Sequence, residues 1–425
     1  MTKKIKVLVF PCGAENAIEI HEALRYSVHV ELYGASSVDD HGRFAFERYF
    51  GGLPNIRDPH FDDAFATLLD RLGIDMVFAT HDTVIEYLAA RREKWRAHLV
   101  NGDPASTALT RRKSLTYARF ADLSWAPRVF DSPENVSDWP AVVKPDLGQG
   151  AQGVTIVRSG HEARLALERV SEPLLVEYLP GDELTVDCFT DRKRNLIWAG
   201  PRTRERLRAG IAMRSRLQGP MPEIEAIARE INDRVLMRGP WFFQVKADAQ
   251  GRWKLLEISS RVAGTMVAQR ARGINLPLMA VQDFKERDLV PLVNAHVKLV
   301  ERCIATRAEL SFDYDTVFID LDDTLVIDGH AVPSVIAFVY QSVRQGHRVV
   351  LITRHAFDIE ATLKAARIDR ALFDEIVHLD AYASKGQHVT PNAIFVDNHF
   401  PERREVHERT GVPVFDVDAV RLLLR

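Results

Sequence analysis

The order of apolar and polar positions changes character twice along the chain. Residues 5–10 (IKVLVF) form an apolar run that predicts a buried strand, Gly13 marks the turn after it, and residues 15–26 predict a helix. HVELYG, a helix near 61–72, DMVFAT and a helix near 83–97 continue the alternation. That rhythm belongs to a parallel α/β sheet. Gly13 alone marks the first turn, so the G-x-G-x-x-G dinucleotide fingerprint is missing. From about 108 to 300, strands such as AVVKP, VTIVR, LLVEYL, ELTVDCF and WKLLEIS are separated by glycine turns and single helices, an α+β pattern. Residues 285–312 are charged and predicted helical. They lead through Phe312-Asp313-Tyr314-Asp315 into residues 313–425, where alternation returns: VFIDLD, helix, RVVLIT, helix, EIVHLD, AIFVDN, helix, PVFDV. The pattern predicts three domains, at 1–107, 108–308 and 313–425, the last with its own core.

Composition narrows the partners. The chain has 425 residues, 46% apolar and 27% charged, which is ordinary for a globular protein and too long for one core. A net charge of -3 and a pI near 6.6 give no global case for nucleic acid or an anionic membrane. Cys12, Cys188 and Cys303 are scattered and odd in number, which suits a reducing, cytoplasmic compartment and argues against a disulfide framework. The start, MTKKIKVLVFPC, reads as a first strand rather than a signal peptide. No run approaches the ~18 apolar residues of a membrane span.

Four segments of the middle region carry candidate chemistry. In AVVKPDLGQGAQG a strand delivers Lys144 to a loop with Gly148, Gly150 and Gly153. Such a loop can close its backbone N–H groups on phosphate while lysine supplies a point charge, although alone it more often marks a plain turn. In LLVEYLPGDELTVD, Glu177 stands at a strand end, then a Pro180-Gly181 turn, then Glu183, Thr185 and Asp187 at period two. A hinge beside an acid suits an adenine edge, and a second acid suits ribose hydroxyls. The alternative is a solvated acidic hairpin. In PRTRERLRAG, Arg202, Arg204, Arg206 and Arg208 alternate, and Arg214 and Arg216 follow. If extended, the first four share one face and suit a polyphosphate or carboxylate. The alternatives are a charge-guarded edge strand or an incidental RNA patch. Finally, FFQVKADAQGRWKLLEISSRVAG predicts a hairpin with Gln244 and Glu257 on its two strands, then Ser259 and Arg261. Oxygen ligands on adjacent strands make a Mg²⁺ site when nucleotide phosphates complete the shell.

The segment VFIDLDDTLV ends an apolar strand in Asp320 and Asp322, with Thr324 two residues on. One carboxylate can attack phosphorus while its neighbour handles the proton, and a hard cation offsets their charge.

Taken in order, these motifs make residues 1–300 resemble the ATP-grasp superfamily, in the branch containing the large subunit of carbamoyl phosphate synthase. Lys113 resembles the early phosphate-contacting basic residue, and Lys144 with the 148–153 glycines the lysine and phosphate loop. Glu177, Tyr178 and Leu179 resemble the adenine hinge, and Glu183 the ribose acid. Gln244 and Glu257 resemble metal ligands, and Arg261 the basic residue of the closing E-x-N-P-R motif. This chain has EISSR there, so Ser259 stands where the family has a ligating asparagine. The resemblance implies a Rossmann-like pre-ATP-grasp domain, an ATP-grasp domain, ATP with Mg²⁺ (or Mn²⁺), and acyl-phosphate chemistry joining a small carboxylate to an amine.

Residues 313–425 resemble the haloacid-dehalogenase-like superfamily. Asp320 matches its nucleophile, Asp322 its acid/base, Thr353 its phosphate-binding hydroxyl, Lys385 its cation and Asp397 its metal-binding acid, with Asp320 and Asp322 also at the metal. Asn398 stands where a second acid often follows, and Glu402 lies one helical turn on as a substitute. About thirty residues separate Asp320 from Thr353, and about thirty more lead to Lys385. Neither gap holds a cap domain, so a capless three-layer α/β phosphohydrolase is implied, open to a large substrate or covered by the preceding half. The whole reads as a bifunctional enzyme, a ligase fused to a phosphatase. Two alternatives stay open: a first half that stops at phosphoryl transfer, or one half serving as a degenerate binding module.

Overall fold

In the computed structural model, which describes residues 3–148, 152–308 and 310–424, strands β1 (Ile5–Phe10), β2 (Val30–Ala35), β3 (Tyr49–Phe50), β4 (Met76–Ala79) and β5 (His98–Leu99) form a parallel sheet. Their order is β3-β2-β1-β4-β5. Neighbouring residues of β1 enter opposite cores. Val7 and Val9 join Ala17 and Ile20 of α1 (Glu15–Leu24), while Leu8 and Phe10 join Phe61, Phe65 and Leu69 of α2 (Phe61–Leu72). Burial on both faces is why this strand reads as an apolar run from Val7 to Phe10. The strand order reverses between β1 and β4, which leaves their carboxyl ends at a crevice. Asn16 spans it, donating through Nδ2 to the carbonyls of Thr80 (2.7 Å) and Val262 (3.2 Å). Helix α3 (Asp82–Ala89) starts at that edge.

Helices α4 (Pro104–Arg111) and α5 (Lys113–Arg119) lead into two antiparallel sheets. The first contains β6 (Val129–Phe130), β7 (Ala141–Pro145), β8 (Thr155–Val157) and β9 (Pro173–Glu177), ordered β6-β9-β7-β8. Helix α6 (Gly160–Arg169) packs Ala163 and Ala166 against Val143, Val157 and Leu175. After β10 (Glu183–Thr190) and β11 (Leu196–Thr203), the chain makes the β12 (Leu207–Arg208) and β13 (Ile211–Ala212) hairpin and strand β14 (Arg214–Arg216). Helix α7 (Pro222–Arg234), β15 (Gly239–Ala247) and β16 (Trp253–Ser259) follow. The second antiparallel sheet has the order β11-β10-β15-β16. Ile224, Ile227, Ala228 and Ile231 of α7 bury one helical stripe against Val186, Cys188, Phe243 and Val245. Helices α8 (Val267–Ala271) and α9 (Leu276–Phe284) and strand β17 (Leu299–Glu301), which pairs with β14, complete this unit.

Among the described residues of 285–312 the predicted helix does not form. Glu286 takes a φ of +60°, Pro291 interrupts any ladder, and the segment instead supplies β17. Val290 and Leu292 are exposed, so no apolar face is buried to stabilise a helix.

The chain divides into two compact units, Met1–Cys303 and Ile304–Arg425. The second is built on β18 (Thr316–Ile319), followed by the hairpin β19 (Val326–Ile327) and β20 (His330–Ala331), and helix α10 (Pro333–Gln345). Then come β21 (Arg348–Thr353), α11 (Ile359–Ala365), β22 (Glu375–His378), β23 (Ala393–Val396), α12 (Phe400–Thr410) and β24 (Val414–Phe415). The five sheet strands are parallel, ordered β22-β21-β18-β23-β24. Again one strand feeds two cores: Val317 and Ile319 pack with Phe338 and Val339 of α10, and Phe318 with Phe395 of β23 and Val406 of α12. Gly346 closes α10 in the left-handed region, φ +82°, where a side chain would be strained. Among the described residues no helix is long and apolar enough to cross a membrane.

Candidate functional site

Strand β7, paired between two antiparallel neighbours, turns alternate residues to opposite faces of its sheet. Ala141 and Val143 enter the core under α6, while Val142 and Lys144 line a cavity of about 310 Å³. Its other walls come from Val176 to Leu179, Glu183, Arg204, Gln244, Lys246 and Leu255 to Glu257, so both antiparallel sheets contribute. Lys144 is buried and donates from Nζ to Tyr117 Oη at 2.6 Å, and the Tyr117 hydroxyl in turn donates to the Leu256 carbonyl at 2.5 Å. Burial, then the charge of Lys113, push the Lys144 pKa down to about 7, with Glu257 opposing. Lys113 reaches the same wall because the start of α5 is latched to the end of β7. Asp146 accepts from the Ser114 backbone N–H (2.7 Å), Ser114 Oγ (3.0 Å) and Arg112 Nη1 (3.0 Å).

The loop glycines fit tight quarters. A Cβ on Gly148 would lie 3.0 Å from Pro145 Cγ, and Gly153 takes a left-handed φ of +72°. Gly150 lies outside the described residues. The Glu177 carboxylate accepts from the Arg128 backbone N–H (2.8 Å) and Arg128 Nε (3.4 Å), and Tyr178 and Leu179 continue the wall. Glu183 pairs with Arg204 at 2.5 Å.

Gln244 and Glu257 stand directly opposite each other on β15 and β16. Two oxygen donors on one wall suit Mg²⁺ when phosphate oxygens fill the remaining positions. Among the described residues no three His, Cys, Asp or Glu side chains gather as a metal site on their own. Ser259 and Arg261 are engaged elsewhere. Ser259 Oγ donates to Asp82 Oδ1 (2.8 Å), and Arg261 forks onto Asp82 through Nε (2.9 Å) and Nη2 (2.8 Å). Burial pushes the Asp82 carboxyl up, but Arg261, Ser259 and Arg111 outweigh it and hold its pKa at about 2. Asp82 went unnoticed in the sequence. Its signal was a carboxylate opening a helix just after the apolar strand DMVFAT.

The arginine stripe does not form, because β11 ends at Thr203 and the chain turns into the β12–β13 hairpin. Arg202 is buried and forks onto Asp187 at 2.7 and 3.2 Å, which removes it from any substrate. Arg204 alone of the six lines the cavity. Arg206 and Arg214 both pair with Glu301, Arg214 at 2.5 Å, and Arg216 pairs with Glu205 at 3.3 Å. Arg208 sits in the exposed strand β12.

In the second unit the carboxyl ends of three adjacent strands meet. Asp320 follows β18, Thr353 ends β21, and Asp397 follows β23. Lys385 Nζ bridges the two acids, 2.6 Å from Asp320 Oδ1 and 2.7 Å from Asp397 Oδ2, and all three are buried. Burial raises the Asp320 pKa to about 6; Lys385 lowers it and Asp397 raises it further. Asp322 is more open and is held by His355, whose Nδ1 lies 2.9 and 3.0 Å from the two carboxylate oxygens. His355 Nε2 reaches Thr362 Oγ1 at 2.7 Å, and its backbone N–H donates to Thr353 Oγ1 at 3.2 Å. His355, two residues past Thr353, was not singled out in the sequence. Asn398 is tied to Thr324, donating its backbone N–H to Thr324 Oγ1 (2.9 Å) and accepting that hydroxyl at Oδ1 (3.1 Å). Glu402 pairs with Arg354 at 2.5 Å, so its carboxylate is not spare for a metal. Only the β19–β20 hairpin and α10 separate β18 from β21, and only α11 and short turns separate β21 from β22. The expected gaps therefore carry no cap.

Residues 169–304 match the family model described as "ATP-grasp in the biosynthetic pathway with Ter operon". Solved structures similar to the chain include an L-amino acid ligase from Bacillus licheniformis, 17% identical over 69% of this chain and 76% of that one, with a TM-score of 0.53. An N5-carboxyaminoimidazole synthetase from Staphylococcus aureus complexed with ADP is 10% identical over 68% and 80%, with a TM-score of 0.57. The biotin carboxylase domain of the Hydrogenobacter thermophilus 2-oxoglutarate carboxylase, in complex with MgADP, ADP and bicarbonate, is 15% identical over 68% and 71%, with a TM-score of 0.56. No curated protein matches the chain. Residues 169–304 and the domain upstream of them thus have the ATP-grasp fold. The family model stops at residue 304, so the second unit is read from its own geometry.

Proposed function

We propose that the first unit is an ATP-dependent carboxylate–amine ligase, with 1–107 as its leading Rossmann-like domain and 108–308 as its ATP-grasp domain. One observation carries the reading: Lys113, Lys144, Glu177 to Leu179, Glu183, Gln244 and Glu257 all line one cavity. Lys113 and Lys144 neutralise the phosphates, Glu177 to Leu179 border the adenine, and Glu183 takes ribose hydroxyls from its place beside Arg204. Gln244 and Glu257 would hold Mg²⁺, which would supply charge neutralisation on the transferring phosphoryl group. The γ-phosphoryl group passes to a substrate carboxylate, and an amine then displaces phosphate from the acyl phosphate to leave an amide. A screen of amino acids and small carboxylates, following ADP and product mass together, tests it. One amide per ADP is expected; ADP with only a phosphorylated product would place the chain with kinase-like enzymes.

For the second unit, 313–425, we propose a capless Mg²⁺-dependent phosphohydrolase of the haloacid-dehalogenase type. Asp320 attacks phosphorus, Asp322 protonates the leaving oxygen, and Lys385 with Thr353 takes the phosphate charge. Asp320, Asp322 and Asp397 would hold Mg²⁺ only together with the substrate's phosphate oxygens, since their side chains do not gather as a metal site on their own; Lys385 already offsets Asp320 and Asp397. The fusion favours successive action on one pathway's compounds. Three unpaired cysteines suit a reducing cytoplasm.

A further inference from the structure

Among the described residues, four large aromatic side chains of the second unit are exposed; Tyr340 lies on α10, and the other three stand together at one edge of the sheet. Phe357 is 76% exposed, Tyr382 101% and Phe400 61%. Each lies four residues past the carboxyl end of a parallel strand: Phe357 after β21, Tyr382 after β22 and Phe400 after β23. In the sheet order β21 and β23 flank β18, whose end carries Asp320, and β22 lies beyond β21. All three rings therefore belong to the loop edge that holds the phosphate site.

Two of the rings are one residue removed from the reacting carboxylates. Phe357 packs edge-on to the His355 ring with centroids 5.6 Å apart, and His355 holds Asp322. Phe400 lies under the Arg403 guanidinium at 5.8 Å, and Arg403 Nη1 donates to the Asp397 carbonyl at 2.6 Å. Tyr382 precedes Ala383, whose carbonyl accepts from Arg354 Nε at 3.0 Å, next to Thr353. Burying none of these rings gives up apolar stabilisation that a purely structural role would have used. Ring faces at a wet edge gain it back when a flat ligand stacks on them.

We infer that the second unit acts on phosphomonoesters whose organic part carries a planar ring, stacked on Phe357 and Phe400 with Tyr382 at the outer edge. This rests on the phosphohydrolase reading, which fixes the ligand's other end as phosphate. The absence of a cap fits it, since the rings supply the grip that a cap would otherwise give. In the reaction, Asp320 Oδ forms a bond to phosphorus as the bond from phosphorus to the ester oxygen breaks. That oxygen takes the Asp322 proton and leaves as the ring-bearing alcohol. Water then attacks phosphorus, returning its proton to Asp322 and releasing inorganic phosphate and the Asp320 carboxylate.

The test uses the full chain with Mg²⁺ and two esters of equal leaving-group chemistry, 2-phenylethyl phosphate and butyl phosphate, reading inorganic phosphate. The ring ester is expected to have a kcat/KM about tenfold or more higher. That ratio should fall toward one in Phe357→Ala and in Phe400→Ala and survive in Phe357→Tyr. Equal kcat/KM values for the two esters, or a ratio untouched by both alanine variants, would overturn the inference. If neither ester is hydrolysed, the phosphohydrolase reading fails separately, and the rings are read by ligand-observed NMR titration of Asp320→Asn with the same two esters. Tighter binding of the ring ester then keeps the stacking edge, and equal binding removes it.

Discussion

The two sites hold their charges in opposite ways. In the cavity of the first unit each group is held by a neighbour of its own: Lys144 by Tyr117, Glu183 by Arg204, Glu177 by Arg128. In the second unit the groups hold one another, with Lys385 spanning Asp320 and Asp397. Topology explains the contrast. Adjacent parallel strands end at one edge, so side chains at their carboxyl ends meet. Antiparallel sheets present functional groups from strand interiors, facing a gap that a ligand must fill. One site is assembled before its substrate arrives; the other is a set of walls that a nucleotide would connect.

The largest effect expected from this contrast is at the assembled site. Asp320→Asn should lower phosphomonoester hydrolysis by more than about a thousandfold, because the members of such a cluster act as a unit. ADP formation by the same variant should be unchanged. A loss of both activities would show that the sites are not separable.

Next in size is a charge that only looks functional. Arg202→Ala should destabilise the first unit by about 3–5 kcal/mol, since it strands Asp187 in the interior. Arg204→Ala, at the cavity, should instead raise the KM for ATP with little change in the denaturation midpoint. Similar midpoint shifts in urea for the two variants would erase the distinction drawn between them.

A smaller effect is expected at His355, which positions Asp322. His355→Ala should slow hydrolysis of an alkyl phosphate about tenfold or more while sparing p-nitrophenyl phosphate, whose leaving group needs no proton. Equal losses on both esters would point to a structural role alone.

The smallest effect is a pH dependence. Lys144 has a pKa of about 7 in the folded chain, below its ordinary 10.5, through burial and then Lys113. Between about pH 7 and 10.5 the unfolded chain binds the extra proton, so this residue makes stability rise with pH across that window. Metal-free ADP, which prefers the ammonium, should show the opposite trend. Its affinity should fall by up to about tenfold per pH unit above 7, and calorimetry should find proton uptake on binding. Lys144→Arg should flatten the profile.

The second unit was the more legible of the two in sequence. Asp320, Thr353 and Asp397 are each marked by an apolar run ending in a polar residue; Lys385 has no such mark, follows only from the resemblance, and bridges Asp320 and Asp397 at the same edge. In the first unit the cavity residues were legible as separate motifs. What failed was whatever depended on where a strand stops. The alternation of Arg202 to Arg208 carries no mark of the turn after Thr203, and nothing local says that Asp187 is buried opposite Arg202. Ser259 and Arg261 read as site residues because their partner, Asp82, lies 177 and 179 residues away. The segment 285–312 is dense in charge, which suggests a solvated helix, but it offers no apolar stripe to bury. Local chemistry was readable, and long-range pairing was not.

The most direct test of the account is hydroxylamine trapping with full chain, ATP, Mg²⁺ and a carboxylate substrate found in the screen, run on wild type, Lys144→Ala and Asp320→Asn. The account predicts acyl hydroxamate in equal amount to ADP for wild type and Asp320→Asn, and a loss of about a hundredfold or more in Lys144→Ala. ADP formed without hydroxamate in wild type, or hydroxamate that survives in Lys144→Ala, would contradict it.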